Sequence, residues 1–354
     1  MGSFTSTAKI ENSDTADEDI CSTFEPTAQV QLLERCRKII ETSQRPPLLN
    51  RKFRELKIFS GNESTRKSFL RLLQWNILSQ TLGVSNDNFV KTPPESLDWS
   101  LKRFYVLQEI IQNDPDVICL EEVDHFKFLE SALKSIGYSG KFFPKPDSPC
   151  VYVEGNNGSD GAAMFYKTSK YEVIKWETRI LEVWHVQSNQ VGLSSILKDK
   201  ESGIEFCVAV THLKAKAGAL LATLRDHQGR DLLTWLEKIS GGRPIIIGGD
   251  FNAEPSEPVY RTMTDNRLDL KSAYSVNGRE PPYTTWKGEI CHTIDYVFHS
   301  KHFIPLRLLD FPTGKTIGPE RIPSLSYPSD HFSLVVDFEL NNVVAEDEKD
   351  KRSM

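Results

Sequence analysis

The run Ile245-Ile246-Ile247-Gly248-Gly249-Asp250-Phe251-Asn252 constrains this chain more than any other stretch. Three consecutive β-branched apolar residues offer no polar face, so they suit a strand buried on both sides, as inside an α/β sheet. The two glycines are expected to stop that strand and let backbone come close to a neighbour. Asp250 and Asn252 follow at once; if the chain is still extended there, both side chains point the same way. A carboxylate and an amide at the end of a buried strand make either a polar site over a sheet or an ordinary turn.

The length, 354 residues, accommodates one large α/β domain with tails. Hydrophobic residues at 39% and charged residues at 26% describe a water-soluble globular protein. No apolar run approaches the ~20 residues of a membrane span. The net charge of −6 excludes a molecule built throughout to bind polyanions. Six acids and one lysine fall in residues 1–25, so the remaining 329 residues carry only −1 and any basic patch is local. The six cysteines are scattered, with no CxxC pair, and no secretory leader precedes them; this predicts reduced thiols and a cytoplasmic location.

Residues 1–67 read as a mostly disordered N-terminal segment with one helix over 29–42, which Arg45-Pro46-Pro47 ends. Gly2 and Ser6 fit an N-myristoylation pattern, which would give weak membrane contact. The catalytic body is predicted over 68–340 and a charged disordered tail over 341–354. Strands are expected at 69–78, 117–120, 161–166, 171–180, 191–197, 204–211, 293–298 and 332–340, and helices from Asp98 or Ser100 to about 113, over 220–239 and over 258–266. A buried strand ending in acids occurs once in each half, as expected if two similar layers meet at one edge.

The polar residues at strand ends are Asn76, Glu122, His212, Asp250, Asn252, Asp295, Asp330 and His331. Oxygen donors with few histidines and no cysteine cluster favour Mg²⁺ or Mn²⁺ over Zn²⁺. Neighbouring carboxylates raise one another's pKa unless a cation neutralises them, so the set itself argues for a metal. A hydrolytic reading gives Glu122 the metal and Asp250 the attacking water. Asn76 and Asn252 orient oxygens, and Asp295 fixes the tautomer of a charge-stabilising His331.

Gln74-Trp75-Asn76, Leu120-Glu121-Glu122-Val123, Thr211-His212-Leu213, Gly249-Asp250-Phe251-Asn252, Ile294-Asp295-Tyr296 and Ser329-Asp330-His331 resemble, in order, the motifs of the endonuclease/exonuclease/phosphatase superfamily. The resemblance spans about residues 68–340. It implies a two-layer α/β sandwich of mixed β-sheets flanked by helices, with a Mg²⁺ site at one edge for which Glu122 and Asp330 are the expected ligands. Within the superfamily, Phe142-Phe143-Pro144-Lys145, Asn156-Asn157-Gly158, His212-Leu213-Lys214-Ala215-Lys216 and Pro281-Pro282-Tyr283-Thr284-Thr285-Trp286 resemble the nocturnin family.

That narrower resemblance implies removal of the 2′-phosphate from NADP⁺ and NADPH. Shortening of poly(A) RNA by a 3′ exoribonuclease is the alternative. Lys145, Lys214 and Lys216 would hold the other phosphates of the dinucleotide, with His212, Asp250, Asn252 and His331 around the reacting group. The chain departs from the family's pattern at Lys216, where arginine is expected. It departs again at 286–292, a short loop whose only lysine or arginine is Lys287.

Overall fold

The computed structural model describes residues 21–56, 68–84 and 91–340. Gly2, the acidic start and the charged tail lie outside these residues. The helix expected at the N-terminus is present as α1 (Gln29–Thr42). Its Leu32, Cys36 and Ile40 recur every four residues and form a buried stripe, packed beside α3 (Trp99–Asn113). Asp98 caps α3, its carboxylate accepting from the N–H of Ser100 at 2.9 Å. Asp114, left-handed at φ 48°, ends the helix before Pro115. The intervening α2 is short (Gln80–Val84).

Fifteen strands are found among the described residues. The first sheet has the order β1-β14-β15-β2-β3-β5-β4. Its members are β1 (Phe53–Glu55), β2 (Ser68–Asn76), β3 (Val117–Val123), β4 (Tyr138–Pro144), β5 (Gly161–Lys167), β14 (Phe303–Leu309) and β15 (Leu334–Leu340). The second has the order β10-β13-β9-β8-β7-β6. It contains β6 (Tyr171–Val183), β7 (Val186–Asp199), β8 (Glu205–His212), β9 (Ile245–Asp250), β10 (Lys271–Ser272) and β13 (Asp295–His299). A separate hairpin pairs β11 (Thr285–Lys287) with β12 (Ile290–His292). Both sheets are mixed: β2 pairs parallel with β3, and β8 parallel with β9.

Apolar residues from both sheets, among them Leu72, Cys119, Val208, Val210 and Val336, fill the space between them. Outside the first sheet lie α1, α3 and α4 (Phe126–Ser135). Outside the second lie α5 (Ala219–Ser240) and α6 (Pro258–Thr264), and a last short helix, α7 (Gly314–Ile317), follows β14. This is the expected sandwich of mixed sheets with flanking helices.

Two expectations are corrected. The folded body does not begin near Ser68: α1 is in the core, and β1 pairs with β14 at the sheet's edge. A three-residue strand gives too short an alternation to read from sequence. The glycines do not stop β9 either, which runs on through both to Asp250. A Cβ on Gly248 would meet Gln74 of the opposite sheet at 3.0 Å, and one on Gly249 would meet the Thr211 carbonyl oxygen at 2.4 Å. Glycine leaves room at these two positions for the Gln74 side chain and the Thr211 backbone.

Candidate active site

Sheet register does most of the assembly. His212 lies opposite Asp250 across β8 and β9, and Asp295 lies opposite Asp250 across β9 and β13. Three strand ends of one sheet thus deliver an imidazole and two carboxylates in a row. From the other sheet, Asn76 ends β2 beside Glu121. An irregularity in β3 between Leu120 and Val123, with Glu122 at φ 54°, separates the two glutamates. Glu121 turns between the sheets, where the Gln74 amide donates to it at 2.8 Å. Glu122 turns to the site.

Asn76 ties the halves together. Its amide nitrogen donates to Asp250 Oδ2 at 3.0 Å and to Glu122 Oε1 at 3.1 Å, while its oxygen accepts from the N–H of Leu78. The Ser79 N–H donates to the other oxygen of Glu122 at 3.2 Å. Asp330 and His331 arrive on the loop before β15. That loop is held by the Trp75 indole on the His331 carbonyl at 2.7 Å and by the Ser329 hydroxyl on the Asn76 carbonyl at 2.6 Å.

Asp250 Oδ1 accepts from the N–H of Asn252 at 2.8 Å, so the turn and the site are one structure. Asn252 lies beyond the strand at φ 50°, not on an extended continuation of it. Its amide nevertheless returns to the site, donating to His212 Nε2 at 2.9 Å and to the Leu213 carbonyl at 3.1 Å. His331 Nδ1 stands 2.9 Å from Asp295, which also accepts from the Thr284 hydroxyl at 2.6 Å. His331 Nε2 faces Asp250 Oδ2 at 3.8 Å and Asp330 Oδ2 at 3.9 Å.

Burial and mutual charge set the protonation states. Asp250 is pushed up to about 7 by burial and by the Asp295 charge. Burial disfavours the His331 cation, but Asp295, Asp330 and Asp250 outweigh it and hold the group well above the usual histidine range. His212 goes the other way, held well below that range by burial and by the nearby Lys145 and His331 charges, and is neutral. Burial also raises Glu122, partly countered by Lys145. Asp330 is lowered to about 2: burial raises it, and Lys287 and His331 more than reverse that.

Asp250, Asp295 and His331 are a possible acidic/histidine metal site, with ligand atoms all within 4.8 Å of one another. Asp295 and His331 are engaged with each other, however, which leaves that trio short of free donors. Glu122 and Asp330 offer the hard oxygens a Mg²⁺-class ion takes, and Asp330 Oδ1 is buried without a hydrogen-bond partner among the described residues. The donor set around Glu122 and Asp330 therefore fits such an ion.

The three lysines expected on substrate divide. Lys145 is only 6% exposed, its ammonium paired with Asp160 at 2.6 Å and 3.5 Å from His212 Nδ1. It sits beside His212 as a buried counter-charge and does not line the cavity that opens beside Asn252 and His331. Lys214 and Lys216 are exposed, and only Lys216 lines the cavity of about 770 Å³ that opens beside Asn252 and His331. A slightly larger hollow, about 830 Å³, opens between β1 and β10, and none of the expected site residues lines it.

Sequence reasoning missed Arg225, which is buried at 1% exposure and donates to the Lys214 and Lys216 carbonyls and to Glu257. It fixes the loop that carries Lys216, and a lone arginine on a helix gave no signal of this. It also missed the ion pair between Lys287 and Asp330 at 2.6 Å.

The Endonuclease/Exonuclease/phosphatase family profile matches residues 73–331. Nocturnin of Drosophila melanogaster is 47% identical across 96% of this chain and 60% of its own length, so the chain spans about three fifths of that relative. Nocturnin of Homo sapiens is 46% identical across 89% of this chain and 74% of its own. The solved human Nocturnin catalytic domain with bound sulfate superposes with a TM-score of 0.70 at 40% identity, covering 84% of this chain and 100% of that one.

Proposed function

The chain belongs to the nocturnin branch of the endonuclease/exonuclease/phosphatase family and is a hydrolase of phosphatase or nuclease type, and we propose that it removes the 2′-phosphate from NADP⁺ and NADPH in a Mg²⁺-dependent reaction. The cavity beside Asn252 and His331 carries this reading. Its volume, about 770 Å³, suits one small molecule. Lys216 projects there without an ion-pair partner among the described residues, ready for a phosphate. The sulfate reported on the human catalytic domain is a tetrahedral dianion like the group to be removed.

Asp250, near pKa 7, accepts a proton from the attacking water, and its two oxygens are held by Asn252 and Asn76 so that it needs no reorientation. Charged His331, braced by Asp295, faces the same space and stabilises the phosphoryl group as negative charge moves across it. Neutral His212 and Asn252 orient oxygens of the phosphate. Glu122 and Asp330 would hold the Mg²⁺, with Mn²⁺ able to replace it; when bound, the ion polarises a phosphoryl oxygen. Water adds to phosphorus and gives a proton to Asp250, and the P–O bond to the ribose 2′-oxygen breaks. That oxygen takes up a proton from solvent and leaves as the hydroxyl, while Asp250 returns its proton to solvent. Among the described residues no helix is long and apolar enough to cross a membrane. A cytoplasmic setting fits the six free cysteines.

Purified chain is expected to release phosphate and NADH from NADPH with Mg²⁺, to stop in excess EDTA, and to leave oligo(A) intact. Efficient shortening of oligo(A) with NADPH untouched would reverse the assignment in favour of the 3′ exoribonuclease.

A further inference from the structure

Lys287 takes no part in the chemistry above, yet its ammonium rests on the carboxylate expected to hold the metal. Its nitrogen lies 2.6 Å from Asp330 Oδ2, with the two side chains 30% and 3% exposed. The backbone beneath it is fixed. Thr285 bridges His331, Lys287 bridges Arg321, the Phe332 N–H donates to the Thr284 carbonyl at 2.8 Å, and Arg321 lies 4.3 Å over the Trp286 ring. The side chain is a long, part-exposed stem at the wall of the cavity that also holds Lys216. A buried carboxylate that stays ionised needs a cation beside it, and either an ammonium or a divalent ion supplies that charge.

We propose that Lys287 is a resident counter-cation that exchanges with the divalent ion on Asp330 and, once displaced, turns into the cavity to meet an anionic group of the substrate. The proposal rests on the reading of Glu122 and Asp330 as the metal-holding pair. It makes binding of metal and binding of phosphate mutually reinforcing, because the same ammonium opposes the first and assists the second. Without metal, Asp330 stays neutralised and the site does not collapse under its own charge. With metal, the positive charge that had been spent on Asp330 faces the ligand.

The exchange has an unusual sign. In the full chain, Lys287→Met should bind Mn²⁺ roughly fivefold more tightly in calorimetry without substrate, the loss of a partly exposed ion pair. The same variant should show a raised KM for NADPH with kcat at saturating Mg²⁺ little changed, and Lys287→Arg should return Mn²⁺ affinity toward that of the parent. Unchanged or weakened Mn²⁺ binding in Lys287→Met overturns the exchange. Glu122→Gln and Asp330→Asn separate the two readings. If they abolish Mn²⁺ binding while Lys287→Met fails to tighten it, the exchange alone is wrong. If they leave Mn²⁺ binding intact, the metal assignment beneath it is wrong.

Discussion

Replacing Asp250 with asparagine should inactivate the enzyme and, at neutral pH and above, relieve an electrostatic penalty in the metal-free protein. The folded carboxyl titrates near 7 against an ordinary 3.8, because it is buried and faces Asp295. A shift of this size corresponds to roughly 4 kcal/mol. Between these two values the unfolded chain has lost the proton and the folded chain still holds it, so stability falls as pH rises and levels off above about 7. Asp250→Asn removes that slope. Roughly 2–3 kcal/mol of the difference should appear between pH 5 and pH 8, since each unit inside the window is worth about 1.4 kcal/mol. Part is returned, because His331 loses one of the three carboxylates that support its cation. A pH-independent cost of about 1–3 kcal/mol comes from pointing an amide at the Asn76 amide. The assay is urea unfolding of both proteins in EDTA across that range. A stability difference that is the same at pH 5 and pH 8 refutes the assignment of a strained, half-protonated Asp250.

Asp295→Asn keeps the shape beside His331 but removes the charge that most supports its cation, so turnover at pH 7 should fall on the order of 10²-fold. The deficit should narrow as pH falls and His331 regains its proton, which a pH–rate profile reads. Lys145→Met should act on stability before binding: it strands Asp160 at 0% exposure and should cost about 3–5 kcal/mol, largely restored by adding Asp160→Asn, as thermal unfolding would record. Lys216→Ala should raise the KM for NADPH and leave kcat nearly unchanged in steady-state kinetics. Arg225→Met frees the loop carrying Lys216, so it should raise the same KM and also lower the melting temperature.

The parts of this fold legible in the sequence are those whose partners lie on every side. The strand over Ile245–Asp250 needs no knowledge of its neighbours, because an apolar run with no polar face has one destination. Strands β4 and β14 escaped because Gly140 and Pro144 in one, and Pro305 and Arg307 in the other, break the alternation. Helix α4 escaped because His125 provides no side-chain cap to announce it. At the site, each residue type was readable but commitments between residues were not. Lys145 and Lys216 look alike in sequence, and only the fold puts Asp160 against one of them and open space beside the other. Gly248 and Gly249 read as a break because glycine usually marks one, whereas here the reason for glycine stands on other strands.

The Asn76 amide joins a carboxylate of one sheet to a carboxylate of the other, with contacts of 3.0 and 3.1 Å. Its geometry is therefore a ruler laid across the seam. A methyl group at Gly248, which touches no reacting atom, would press on Gln74 and move one sheet against its partner. Catalysis would then register a change in spacing that spectroscopic measures of secondary structure would miss. Neither half of the chain owns the site, so two fragments cut between Asp199 and Glu205 should each be inert and regain turnover only as they recombine. In this architecture, activity is the most local report available on how well the whole molecule has closed.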